Sequence, residues 1–145
     1  MGVKQAESIR RQVIGSAELD VRNAQLRSLE SAVTDVFEAA MKRVSEISGA
    51  AQEKALSRLI EEGADVIGTT ARLLCSDKDR KSASSALSKL GGKTVTLDPE
   101  GIHTSGGVIL TSADGSVRFD NTFEARLERL RPSLRKEVAA LLSSS

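Results

Sequence analysis

Aromatic side chains are nearly missing from this sequence of 145 residues: three Phe, no Trp and no Tyr. Without Trp and Tyr the usual platforms for stacking unpaired bases are gone. Formal net charge is only +1, with acids and bases interspersed, so no strong field points at nucleic acid or an anionic membrane. A single cysteine, Cys75, excludes an intrachain disulfide and fits a reducing compartment. No window approaches the roughly 18 consecutive apolar residues of a membrane span, and no apolar secretory signal opens the chain. Met1-Gly2 starts like a myristoylation site, but Ala6 stands where that motif needs Ser or Thr. These absences lead us to expect a cytoplasmic protein that neither binds nucleic acid nor inserts into a membrane.

What is present suits helices and a small sheet. Apolar residues make up 39% of the chain, and with so few rings the core must be built from Leu, Ile, Val and Ala. The length allows one modest core and argues against two full domains. From Val3 to Ile47 there is no proline and one glycine, Gly15, which predicts a helix about 65 Å long. Ile9, Val13, Ala17 and Val21 step by four along it. Steps of four exceed the helix period, so a stripe built on them, if sustained, favours right-handed supercoiling with a partner helix. Charges at Glu7, Arg10, Arg11, Glu18, Asp20 and Arg22 interrupt this thin stripe, and such a segment cannot bury much of itself on a compact body. From Leu26 onward Val33, Phe37, Met41 and Val44 broaden the stripe, as a helix lying on a sheet should show. The expected division is a projecting coiled-coil segment, 1–25, and a globular domain, 26–145. A helix packed along its whole length on its own domain is the plain alternative, although a domain this small offers little surface to cover it.

Further along, Ser48-Gly49 ends the helix, and a second runs from Ala50 to about Glu62, stopping at Gly63 or resuming as far as Gly68. Ala71–Cys75 reads as a buried strand. Ser76 or Asp77 then caps a helix to about Leu90, closed by Gly91-Gly92. Thr94–Leu97 is the next strand, and strand–helix–strand order implies a parallel pair. After the turn Asp98–Gly101, two alternating runs, Val108–Thr111 and Ser116–Phe119, flank Asp114-Gly115 and read as a β-hairpin. Asn121 is placed to cap a last helix, with Glu124 three residues on completing a variant of the capping box. That helix runs from Thr122 towards Leu142 on a stripe of Phe123, Leu127, Leu130, Leu134, Val138 and Leu141. Pro132 inside it predicts a kink or a break, and Ser143–Ser145 a frayed tail. The fold class is α+β: a long N-terminal helix projecting from a small domain with a mixed four-stranded sheet packed by helices.

Candidate chemistry is thin. His103 sits in a loop without Ser-His-Asp or Cys-His spacing and reads as solvated; Cys75, at a strand end, reads as a buried structural thiol. Asp77-Lys78-Asp79 lacks the glycine and late glutamate of a calcium loop. Gly91-Gly92 and Gly106-Gly107 match no phosphate loop and read as chain-reversal sites. Arg126, Arg129, Arg131, Arg135 and Lys136, alternating with Glu124, Glu128 and Glu137, form either a solvated helix face or the rim of a protein interface. No metal or cofactor site is expected.

The stretch Gly106-Gly107-Val108, the Asp114-Gly115 turn and above all Asp120-Asn121-Thr122-Phe123-Glu124-Ala125-Arg126-Leu127-Glu128-Arg129 resemble the E subunit of the archaeal and vacuolar-type (A-type/V-type) rotary ATP synthases and ATPases. The last run is nearly that family's signature, and the order of elements extends the fit over most of the chain. The E subunit normally opens with a longer charged helix, so this copy looks shortened at its N-terminus. The resemblance implies a non-catalytic stator, part of the peripheral stalk. Such a protein forms a heterodimeric coiled coil with a small helical subunit of the G or H type. Its globular domain grips the B subunit, and possibly A, of the catalytic head, in a complex coupling ATP to proton or sodium transport at the cytoplasmic side of the cell membrane. On this basis Ile9, Val13, Ala17 and Val21 are expected to face the partner helix. Asp114, Gly115, Arg129 and Arg135 are candidates for the head contact. Asp120, Asn121, Phe123, Glu124 and Leu127 are expected to be architectural, with Phe123 in the core. A stand-alone homodimeric scaffold is the alternative that composition alone leaves open.

Overall fold

The computed structural model describes residues 2–68, 70–91 and 94–144. Its elements run α1 (Gly2–Ser45), α2 (Gly49–Ile67), β1 (Ala71–Cys75), α3 (Arg80–Ser88), β2 (Val95–Leu97), β3 (Gly107–Ser112), β4 (Arg118–Thr122) and α4 (Phe123–Ser143), with a 3₁₀ turn at Asp77–Asp79 before α3. A long N-terminal helix followed by a mixed four-stranded sheet with helices is the α+β class expected. The sheet order is β2-β1-β3-β4; β1 and β2 are parallel, and the other two pairings are antiparallel.

The chain divides into two compact units, Met1–Val36 with Arg131–Ser145, and Phe37–Leu130. The second holds the sheet. Its core draws Leu56, Leu59, Ile60, Ala64 and Ile67 from α2, Ala83 and Ala86 from α3, and Ala71, Leu73, Cys75, Val108 and Leu110 from the sheet. These α2 positions recur at threes and fours, so one helix stripe covers one sheet face. Cross-strand partners carry the same pattern: Leu73 faces Leu110, which faces Phe119, and Cys75 faces Val108, which faces Asn121. Side chains alternate between faces along a strand, so Arg72, Leu74, Ile109 and Thr111 lie on the far side.

Several expectations are corrected. Gly63 does not stop α2; the helix runs through it and ends at Gly68, whose φ of 71° and N–H bond to the Ala64 carbonyl (2.9 Å) make the left-handed cap. Gly63 is a packing glycine: a Cβ there would lie 2.6 Å from Leu110 Cδ1. Neither Ser76 nor Asp77 makes a side-chain cap, and the helix they precede opens as the 3₁₀ turn and closes at Ser88. Of the Gly91-Gly92 pair, Gly92 lies outside the described residues. The hairpin is present, but its second strand begins at Arg118 rather than Ser116. The four-residue loop between Ser112 and Val117 contains one positive φ, at Gly115 (76°), whose N–H bonds to the Ser112 carbonyl. A type I turn closed by one left-handed glycine explains the longer loop. Gly107 does not reverse the chain; it begins β3. Pro132 lies inside α4 without breaking it, and that helix runs on to Ser143.

In the unit formed by Met1–Val36 and Arg131–Ser145, residues 2–28 of α1 are all exposed. Among its described residues, Val33 and Val138 are the buried apolar ones. The Arg135 guanidinium bridges both oxygens of Glu30, at 2.9 and 3.2 Å, and ties α4 to α1 there.

Candidate partner-binding surfaces

On α1, Ile9, Val13 and Val21 are 59%, 62% and 58% exposed, and Ala17 lies bare between them. Four residues span 400° on a helix of about 3.6 residues per turn, so these side chains share one slowly turning face. Ile14, also exposed, belongs to this surface although the run of fours leaves it out: with Ala17, Glu18, Val21, Arg22 and Gln25 it lines a shallow groove. The signal for it is the three–four spacing Ile14-Ala17-Val21, hidden by the more regular run. A run of exposed Val and Ile along one helix face is an apolar patch of the kind that interaction surfaces carry.

At the hairpin tip the Asp114 carboxylate is committed to its own loop. It accepts from the Ser112 and Ser116 hydroxyls, both at 2.7 Å, and from the Ser116 N–H at 3.0 Å. Those bonds, from Ser112 first, hold its pKa down at about 2. Asp114 and Gly115 therefore form a stiff, exposed knuckle.

The β4–α4 junction is where the structure departs most from expectation. Asn121 does not cap α4. Its side chain is completely buried; the amide donates to the Leu59 carbonyl at 3.0 Å, and Oδ1 accepts from Arg126 at 2.9 Å and Arg129 at 3.0 Å. The cap is Thr122, whose hydroxyl accepts from the Ala125 N–H at 3.3 Å while donating to Asp120 at 2.7 Å. Asp120 also accepts from the Thr122 N–H. Glu124 does not close a capping box but braces the loop before β3, accepting from the Ser105 N–H and the Thr104 hydroxyl. Phe123 is half-buried rather than enclosed, packed against the core and over Gly106, where a Cβ would sit 2.3 Å from its ring. Leu127 is half-buried as well. Both arginines proposed for the head contact are already engaged within the chain. Arg129 donates to the Asp120 carbonyl and Asn121 and lies 5.4 Å from the Phe119 ring centre, while Arg135 holds Glu30.

A family model described as "ATP synthase (E/31 kDa) subunit" matches residues 1–142. The chain belongs to that family. It is 33% identical over 142 residues to the A-type ATP synthase E subunit of Thermococcus sibiricus, covering 92% of this chain and 70% of the relative. The E subunit of Thermococcus kodakarensis is 33% identical over 141 residues, covering 89% and 68%. That of Methanothermobacter thermautotrophicus is 31% identical over 136 residues, covering 86% and 66%. In this member of the ATP synthase E family the run Asp120–Arg129, read from sequence as its signature, is the hydrogen-bonded junction just described.

The two residues with reactive side chains lie elsewhere. Cys75 is buried at the end of β1, and burial pushes its thiol up, which keeps the nucleophilic thiolate scarce. His103 is exposed, in the loop between β2 and β3, and lines one open pocket with Gly101 of that loop and with Ser76 and Asp77 after β1. Among the described residues no group of three or more His, Cys, Asp or Glu could hold a metal ion, and no helix is long and apolar enough to cross a membrane.

Acid should loosen the junction. Burial pushes the Glu124 carboxyl up, but the bonds from Thr104 and Ser105 outweigh it and leave the group below its ordinary 4.5. A carboxyl lowered in the fold stabilises fully above its ordinary value, and that contribution is lost as pH falls through the folded value. Chemical denaturation is therefore expected to show stability falling as pH drops below 4.5, with a shallower fall in Glu124→Gln. Asp114→Asn should alter only the more acidic part of the curve, towards its value of about 2.

Proposed function

We propose that this chain is a non-catalytic stator subunit of an A/V-type rotary ATP synthase, resisting rotor torque at the cytoplasmic face of the membrane that holds the complex. Residues 1–25 pair with a small helical subunit of the G or H kind. Residues 26–145 hold the B subunit, and possibly A, of the catalytic head, in a complex that moves protons or sodium ions. One observation carries this reading beyond family membership: the bare apolar face of α1 at Ile9, Val13, Ala17 and Val21. Burying its three large side chains contributes about 5 kcal/mol, at roughly 1.5–2 each. Association itself costs on the order of 4–15 kcal/mol, which burial of the partner's own apolar face and of the exposed Val3 and Ile14 would help to offset. Asp114 and Gly115 remain candidates for the head contact. Arg129 and Arg135 remain candidates as well, each already holding a partner within the chain, Asn121 and Glu30.

Co-expression with the helical subunit of the same complex, followed by sizing, tests the pairing. A 1:1 heterodimer is expected. Val13→Glu with Val21→Glu should weaken it about 100-fold or more, since two charges would be buried without partners. Thermal stability should be unchanged, because both sites are solvent-exposed in the free chain. A homodimer indifferent to the added subunit would favour a stand-alone scaffold instead.

A further inference from the structure

The sheet face turned away from α2 and α3 carries a row that the proposed function has not used. The strand register places Thr96, Arg72, Thr111 and Arg118 side by side across β2, β1, β3 and β4. Directly paired residues point to the same face, and strands lie about 4.8 Å apart, so the two arginines stand about 10 Å from each other with Thr111 between them. Both arginines are exposed. Among the described residues Arg72 meets only a long contact with Asp98, 3.8 Å, and its side chain stays 52% exposed. Arg118 has no hydrogen bond or ion pair among the described residues, and the Thr111 hydroxyl oxygen, closed off from solvent, has none either. The nearest acid in the adjoining row, Asp120, is committed to Thr122. The hairpin end of this face thus carries two planar guanidiniums, one of them without a partner among the described residues.

We infer that the two exposed arginines of this row, Arg72 and Arg118, flanking Thr111, are the chain's anchorage for an acidic segment of the catalytic head. The inference rests on the stator reading and names the surface and chemistry of its head contact. A guanidinium presents a rigid fork of donors that fits a carboxylate through two parallel bonds. Two such forks a strand-pair apart suit neighbouring acidic side chains on one loop. A sheet fixes their spacing better than a mobile loop would, as a load-bearing contact requires. The hairpin tip at Asp114-Gly115 follows directly on the same strands, so it lies at the rim of this surface.

The test uses the heterodimer with the helical subunit and the purified A/B subcomplex as probe. Wild-type affinity should fall with added salt. Arg72→Glu with Arg118→Glu should weaken head binding roughly tenfold or more at low salt, with a flatter salt dependence, while pairing with the helical subunit persists. Arg72→Gln with Arg118→Gln, which adds no repulsion, should fall between, and melting of each variant reports whether it is folded. Equal head affinity in a folded Glu variant overturns the inference and leaves the stator reading standing. No head binding by the wild type overturns both. Self-association of the isolated chain, abolished by the same variants, would make a second copy the occupant and also overturn it.

Discussion

Gly107→Ala is expected to prevent folding of the sheet-bearing unit at ordinary temperature, or to cost about 4 kcal/mol or more where unfolding is measurable. Two effects add at this position. The backbone φ is 92°, a region that L side chains rarely adopt. A Cβ would also stand 2.7 Å from the Asn121 carbonyl oxygen and 2.7 Å from Thr122 Cα. Both obstructing atoms are backbone, in the strand paired to Gly107, so no side chain can swing aside. Relief would need β3 and β4 to part where the register joins Gly107 to Thr122. Gly115→Ala is the internal comparison: its φ is 76° but open space surrounds it, so it should lose only about 1–2 kcal/mol. Urea denaturation of the pair separates strain from collision. Equal losses at the two sites would show that the close approach at Gly107 has little energetic weight.

Asn121→Ala should be the second most damaging change, lowering stability by about 3 kcal/mol. Its side chain, completely buried, satisfies three groups at once: the Leu59 carbonyl, Arg126 and Arg129. Deleting it leaves the Leu59 carbonyl without this partner and a hole where the amide sat. Arg126 keeps Glu62, at 3.1 Å, and Arg129 keeps the Asp120 carbonyl, at 2.8 Å, so part of the loss is recovered. Asn121→Asp tells the two halves apart. Its carboxylate would hold the arginines more strongly, yet an acceptor would face the Leu59 carbonyl where a donor is needed. A variant as weak as Asn121→Ala would assign most of the stabilisation to the α2 side; near-native stability would assign it to the arginines. A double-mutant cycle with Arg129→Gln is expected to show coupling of about 1 kcal/mol or more.

These two residues mark where sequence reading succeeds and where it stops. Helix α1 is legible because a proline-free Ala/Leu/Glu/Arg run leaves few alternatives, and β1 because five residues between breakers fit a strand better than a helix. The parallel β1–β2 pair follows from element order alone. Asn121 reads wrongly as a cap because Asn followed by Glu three residues later satisfies the local rule. Its actual partner, Leu59, lies 62 residues back, and no local spacing reports that. Gly63 misleads for the same reason, since a glycine that ends a helix and one that admits Leu110 look alike in sequence. Alternating charge on α4 likewise says nothing of Arg135 reaching Glu30, 105 residues away. The row of Arg72, Thr111 and Arg118 exists only through the register of three strands. By contrast, the stripe at Ile9, Val13, Ala17 and Val21 is legible because nothing among the described residues covers it, so local pattern is all there is.

That stripe is also the place to test the stator reading most directly, by amide hydrogen exchange over residues 3–25. In the free chain these helix amides should exchange far faster than those of β1 and β3. On addition of the helical subunit, protection should rise across Ile9–Val21, and adding the catalytic head should then protect the sheet-bearing unit as a separate step. Unchanged exchange over Ile9–Val21 in a complex shown by sizing to be intact would mean that the partner helix binds elsewhere, and the assignment of this face would be wrong.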